Sequence, residues 1–221
     1  MTLREEVCRA NRLLPQAGLV TMHSGNVSGI DRERNVVLIK PSGVDYGTLA
    51  PDDVVEVDAE TGDPTGGCMR PSVDLPHHLY LYRHLDGVGG IVHTHSNFAT
   101  AFAAVGRPIP SCLTAIADEF GGDIPCAPYV DNEGEHIGEA IVAHRTQAPG
   151  ILLESHGVFA WGDTVAAAVK AAVMIEDVAR TVWYALQLGD PVRLPDDEIQ
   201  KWHSRYLYGY GQPDPATKGP T

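Results

Sequence analysis

Apolar residues recur along the chain at two different periods, and the switches between them mark its elements. In "TLREEVCRANRLLPQAG", Leu3, Val7, Ala10 and Leu14 form a stripe at three- and four-residue steps, which predicts an opening helix. Thr2 and Glu5 stand at capping-box spacing ahead of the stripe, and Gly18 ends it. The short runs "NVSGID", "NVVLIK" and "DVVEVD" follow, separated by Gly, Pro, Asp and Asn; they predict an antiparallel meander with "DRERN" as its first hairpin turn. Helical spacing returns in "DLPHHLYLYRHL" from Asp74. "GGIVHTH" reads as a buried strand, "SNFATAFAAVG" and "EHIGEAIVAHR" as helices, and "GILLESHGVFAWG" as two strands joined at Ser155 to Gly157. The longest helix is expected from Asp163, as its cap, to Leu188, and "DDEIQKWHSRYL" forms a last one. No repeat or linker interrupts this order, so it predicts a single α/β or α+β domain, its helices interleaved with a central mixed or antiparallel sheet.

Composition narrows the class. A chain of 221 residues holds one sizeable core, and 43% hydrophobic with 20% charged residues is the balance of a soluble globular protein. A net charge of −13 with no basic stripe argues against nucleic acid as a partner. An anionic substrate then requires a local site of amides and a few cations. "MTLREEVCRANRLL" lacks a basic region followed by an apolar segment, and no apolar run reaches the length of a membrane span, so no membrane partner is expected. Cys8, Cys68, Cys112 and Cys126 show no CxxC spacing, which fits the reduced thiols of a cytoplasmic protein.

The candidate chemistry centres on histidine. In a strand ending "HTH", His93 and His95 point to the same side. The pair alone fits two metal ligands or two polar residues on an exposed edge. His156, in "ESHGVFAWG" at the end of another apolar strand, supplies a third imidazole, and three protein ligands with one open position are usual for catalytic zinc. Gly157 is expected to let the backbone turn sharply there. His77, His78 and His84 read as residues of a helix surface. The stretches "SGNVSG", "KPSGVDYG" and "RPSVD" each combine hydroxyls, small residues and free amides, the makings of an anion nest, with Lys40 adding charge.

These residues carry a resemblance. "GNVSGIDRERNVVLIKPSGVDYGTLAPDDVVEVD", "PSVDLPHHLYLY", "GGIVHTHSNFATAFAAVGRPIP", "GGDIPC" and "SHGVFAWG" closely resemble the class II aldolase/adducin-like family, most of all its L-ribulose-5-phosphate 4-epimerases and next its L-fuculose-phosphate aldolases. The resemblance runs over residues 5–212 and implies one domain, 1–212, with a central, largely antiparallel sheet flanked by helices, followed by a tail, 213–221. It also implies a homotetramer with active sites between subunits. His93, His95 and His156 match the ligands of Zn2+, a site that Mn2+ or Co2+ also fit. Asn26, Lys40, Ser42, Gly43 and Ser72 match positions holding a sugar phosphate or lying beside it. Asp74 matches an acidic residue next to the metal, Asp in the epimerases and Glu in the aldolases. Asp118, in "TAIADEF", and Tyr210, in "YGYGQ", match proton-handling residues, and His203 a further helper. One departure stands out: Val73 occupies a position where the epimerases usually have a second serine.

The implied activity is a retro-aldol and aldol reaction on a sugar phosphate, first of all epimerisation of L-ribulose 5-phosphate at C4 to D-xylulose 5-phosphate. An L-fuculose-phosphate-type aldolase and a decarboxylase of a related sugar-acid phosphate are the alternatives. A non-enzymatic adducin-like module is the reading from another class, and an intact His93, His95 and His156 set argues against it.

Overall fold

The computed structural model describes residues 1–209. Its strands are β1 (Gly25–Asp31), β2 (Val36–Ile39), β3 (Val55–Asp58), β4 (Gly90–Thr94), β5 (Cys126–Ala127), β6 (Gly150–Leu153) and β7 (Gly157–Gly162). They form one sheet in the order β3-β2-β1-β4-β7-β6-β5. Every neighbouring pair is antiparallel except β5 with β6. The expected meander of β1, β2 and β3 is present, as is the β6–β7 hairpin.

Helices cover both faces: α1 (Leu3–Gln16), α2 (Leu75–His84), α3 (Asn97–Ala103), α4 (Thr114–Phe120), α5 (His136–His144), α6 (Val165–Leu188) and α7 (Asp196–Gly209). Strand residues alternate strictly between two cores. Val36, Leu38, Val92, Leu152, Val158 and Ala160 pack with residues of α1, α3, α4 and α6. Val37, Ile39, Ile91, Ile151, Leu153 and Phe159 pack with α2 and α5. A period of two along each strand builds a helix–sheet–helix sandwich, because successive side chains leave opposite faces.

Local signals explain most of the boundaries. Thr2 accepts a hydrogen bond from the Glu5 amide and the Glu5 carboxylate accepts one from Thr2, so α1 starts in the expected capping box. The cap of α6 is Thr164, not Asp163: the Thr164 hydroxyl accepts from the Ala167 amide at 3.1 Å. A turn folds back over the outer side of β3, with Val57 bridged to Pro64 and the Thr65 amide donating to the Glu56 carbonyl at 3.0 Å. Among the described residues no helix is long and apolar enough to cross a membrane.

Candidate active site

The central strands β1, β4 and β7 end side by side, and their registers decide what meets there. Asn26 lies opposite His93, and His93 opposite Phe159. Cross-strand neighbours share a face, so all three project toward α2. The His93 ring stacks on Phe159 with centroids 4.4 Å apart, and its Nδ1 donates to the Val158 carbonyl at 2.9 Å. A carbonyl only accepts, so the proton sits on Nδ1 and the Nε2 lone pair is free.

His95 lies one residue beyond β4 and brings its Nε2 to 3.0 Å from His93 Nε2. His156 sits in the turn between β6 and β7, its ring centroid 5.0 Å from those of both His93 and His95. The left-handed residue of that turn is Ser155, with φ of 59°, and not Gly157. Gly157 is needed for closeness: a Cβ there would stand 2.6 Å from the Thr94 carbonyl oxygen and 3.2 and 3.3 Å from His95 and His93 ring atoms. The three donor nitrogens all lie within 4.8 Å of one another, and His156 Nε2 is buried without a hydrogen-bond partner. Burial pushes His93 down to about 4 and lowers His95 and His156 as well. All three are therefore neutral at pH 7, as imidazole ligands must be. Three neutral imidazoles facing one point fit a divalent metal of the zinc, manganese or cobalt kind.

Asp74 stands at the start of α2 but its side chain makes no capping bond; its carboxylate turns to Asn26 and Ser72 instead. It accepts from Asn26 Nδ2 at 2.6 Å and from the Ser72 hydroxyl at 3.3 Å. Burial alone would raise its pKa, but nearby His93 and His78 and the Asn26 bond outweigh that and hold it below the usual carboxylate range. The loops of Lys40 and Ser72 are joined: Pro41 bridges Pro71, the Ser42 amide donates to the Arg70 carbonyl, and the Ser72 amide to the Lys40 carbonyl, both at 3.0 Å. Ser42 and Gly43 are exposed at this edge, Gly43 with φ of 70° and open space around its Cα. Lys40 is buried, its ammonium 4.8 Å from the centre of the Tyr46 ring and bonded to the Pro41 carbonyl; burial lowers its pKa. Within "SGNVSG" the strand read from Asn26 is present, as β1 from Gly25, so the stretch offers the Asn26 side chain in place of a row of free amides.

His77 and His78 also differ from expectation. Both are buried, packed edge-on or tilted against Phe159, whereas His84 is exposed as read. His78 Nδ1 lies 2.7 Å from the Ser28 hydroxyl, which lies 2.8 Å from the Tyr82 hydroxyl. Phe159, Ser28 and Tyr82 are site residues that sequence reasoning missed. Ser28 was findable, since it stands two positions from Asn26 on the same strand face.

Asp118 sits on α4, half-buried, and its backbone carbonyl accepts from His203 Nδ1 of α7 at 2.8 Å. The structure thus joins Asp118 to α7, while Asn26, Ser72, Asp74 and the three histidines form one cluster. Tyr210 lies outside the described residues.

A sheet of this topology with three imidazoles at the ends of its central strands defines the protein first as an α/β domain built around a candidate metal centre. Residues 5–183 match the family described as class II aldolase and adducin N-terminal domain, and the chain belongs to that family. An L-fuculose 1-phosphate aldolase is 27% identical to it, with a TM-score of 0.84 over 93% of this chain and 96% of the other. YgbL from Escherichia coli, whose description spans aldolase, epimerase and decarboxylase, is 27% identical, with a TM-score of 0.79 over 91% of this chain and 97% of its own. The L-fuculose-1-phosphate aldolase of Thermus thermophilus, 24% identical with a TM-score of 0.71 over 84% of this chain and 95% of its own, shares the fold.

Proposed function

We propose that the protein is a metal-dependent enzyme that breaks and re-forms a carbon–carbon bond beside the carbonyl of a sugar phosphate. One observation carries this reading: an ionised carboxylate, Asp74, is held by Asn26 and Ser72 next to three neutral imidazoles whose free nitrogens face one another. A divalent ion, zinc first, held by His93, His95 and His156 supplies Lewis acidity to the substrate carbonyl. The chain's own groups do the rest. Asp74, within reach of a substrate bound at the imidazoles, accepts a hydrogen bond from the reacting hydroxyl and orients it. Asn26 and Ser72 hold its carboxylate in one orientation. The exposed Ser42 hydroxyl and Gly43 amide, with Lys40 behind them, receive the phosphate.

Within this class, epimerisation of L-ribulose 5-phosphate at C4 is the first assignment, supported by the shorter acid, Asp74, beside the histidines. Asp118 and, from a neighbouring subunit of a homotetramer, Tyr210 are the proton carriers on the two faces of the aldehyde fragment. The likeness to an L-fuculose 1-phosphate aldolase over nearly the whole of both chains favours aldol cleavage as the second reading. Val73, 76% exposed, stands at the phosphate edge without a hydroxyl, and the hydrogen bond lost there favours a different phosphorylated, or an unphosphorylated, sugar.

Zinc-loaded protein incubated separately with L-ribulose 5-phosphate and L-fuculose 1-phosphate, followed by NMR, tests this. Inversion at C4 of the first supports the epimerase, and cleavage of the second into two three-carbon fragments supports the aldolase. Asp74→Asn is expected to slow either reaction by at least ~100-fold while metal content stays at the wild-type level. Neither reaction on either compound would sink both assignments.

A further inference from the structure

The three imidazoles are not fixed in the same way. His93 lies in the β4 ladder and is tied to the Val158 carbonyl, and His156 is held in the β6–β7 turn. His95 belongs to neither, because β4 ends at Thr94 and His95 opens the turn into α3. The start of α3 lacks a cap of its own: Ser96 at the N-cap makes no side-chain capping bond, and its hydroxyl is buried without a partner. The first amides of α3 are taken instead from the middle of α6. Phe98 N–H donates to Glu176 Oε1 at 3.0 Å, and Ala99 N–H donates to Glu176 Oε2 at 2.9 Å. Both carboxylate oxygens are spent on one helix end, where orphan donors and the helix dipole favour a negative charge. The Phe98 ring adds a second tie to α6, with centroids 5.7 Å from Trp183 and 6.0 Å from Tyr184.

We propose that Glu176 is a positioning residue for the metal centre. By fastening the first turn of α3 to α6, it sets the turn that holds the His95 imidazole opposite His93 and His156. This inference rests on the three-histidine metal reading and extends it to a carboxylate that touches neither metal nor substrate. It explains how a ligand outside the sheet ladder keeps its Nε2 at 3.0 Å from that of His93.

Cobalt(II) titration of the metal-free protein, followed by ligand-field absorption, tests it with three variants. Glu176→Gln is close to isosteric but replaces one acceptor with an amino group that faces an N–H. It is expected to weaken cobalt binding roughly tenfold and to shift the absorption bands, in the range that outer partners of metal ligands control. Glu176→Ala should do the same to a greater degree. Thr164→Ala removes a cap at the start of α6 instead, and is expected to lower the thermal midpoint without changing cobalt affinity or spectrum. If both Glu176 variants lose thermal stability but bind cobalt with wild-type affinity and bands, Glu176 only supports the fold and the proposal is overturned. Absence of cobalt binding in the wild-type protein overturns the metal reading as well, and is told apart because it appears before any substitution.

Discussion

His78 shows how one residue acquires a property its neighbours in sequence do not predict. Its ring is fully enclosed between α2, Ser28 and Phe159, so charging it means placing a cation where water cannot follow. Burial pushes it down to about 3, from an ordinary value near 6.5. Above pH 6.5 the ring is neutral folded or unfolded and contributes no pH dependence. Below 6.5 the unfolded chain takes up a proton that the folded one refuses, so stability falls as the pH drops toward 3. Urea unfolding of the metal-free protein is expected to show about 2 kcal/mol less stability at pH 5 than at pH 7 from this residue, and His78→Gln to flatten the difference. Equal slopes in the two proteins would assign the acid lability elsewhere. Three histidines in one helix, spaced at mixed angles, give no face by themselves, so the sequence alone does not show that His77 and His78 are buried. Their burial is decided by Phe159, which lies about eighty positions away and shares a face with His93 only through strand pairing.

At the level of elements, the site depends on how closely the β6–β7 turn approaches the end of β4. Gly157 permits this approach through its lack of a side chain, with an unexceptional φ. Gly157→Ala is therefore expected to cost about 1–3 kcal/mol by overpacking and to weaken metal binding, since the added methyl meets both His93 and His95. Calorimetric titration beside thermal unfolding checks this; unchanged affinity would show that the turn yields without moving the rings. The strands with strict alternation, and helices such as α1 with a full stripe and a capping box, were legible in the chain. Elements whose limits depend on a contact were not. β5 has two residues, follows a proline and exists only through its parallel pairing with β6, too little for any periodicity to register. At α6, Asp163 and Thr164 are both competent caps, and only the backbone geometry at the helix start chooses Thr164. The three imidazoles were legible as a set, whereas Gly157 was assigned the turning role that Ser155 performs.

Across the whole molecule, the candidate metal centre connects parts of the chain that are far apart in sequence: β4, the turn into α3, and the β6–β7 turn. A ligand that binds only this folded arrangement stabilises it by mass action, by about 2.7 kcal/mol at a hundredfold excess over the dissociation constant. For a chain of this length that corresponds to a rise of roughly 5–10 °C in thermal midpoint. Zinc-loaded protein is expected to unfold that much higher than the same protein after chelation, and His156→Ala to erase the gap. Identical midpoints with and without chelator would argue against a structural link between metal and fold.

The turn bridging Val57 to Pro64 and the two-residue length of β5 have a consequence for how copies of the chain meet. One margin of the sheet is already occupied by its own chain, and the other offers too short a row of amides and carbonyls to template a foreign strand. Among the described residues, both margins therefore disfavour fibril-like growth by strand addition. Contact between copies is left to helix and loop surfaces, whose side chains can be varied without disturbing the ladder that sets the histidines.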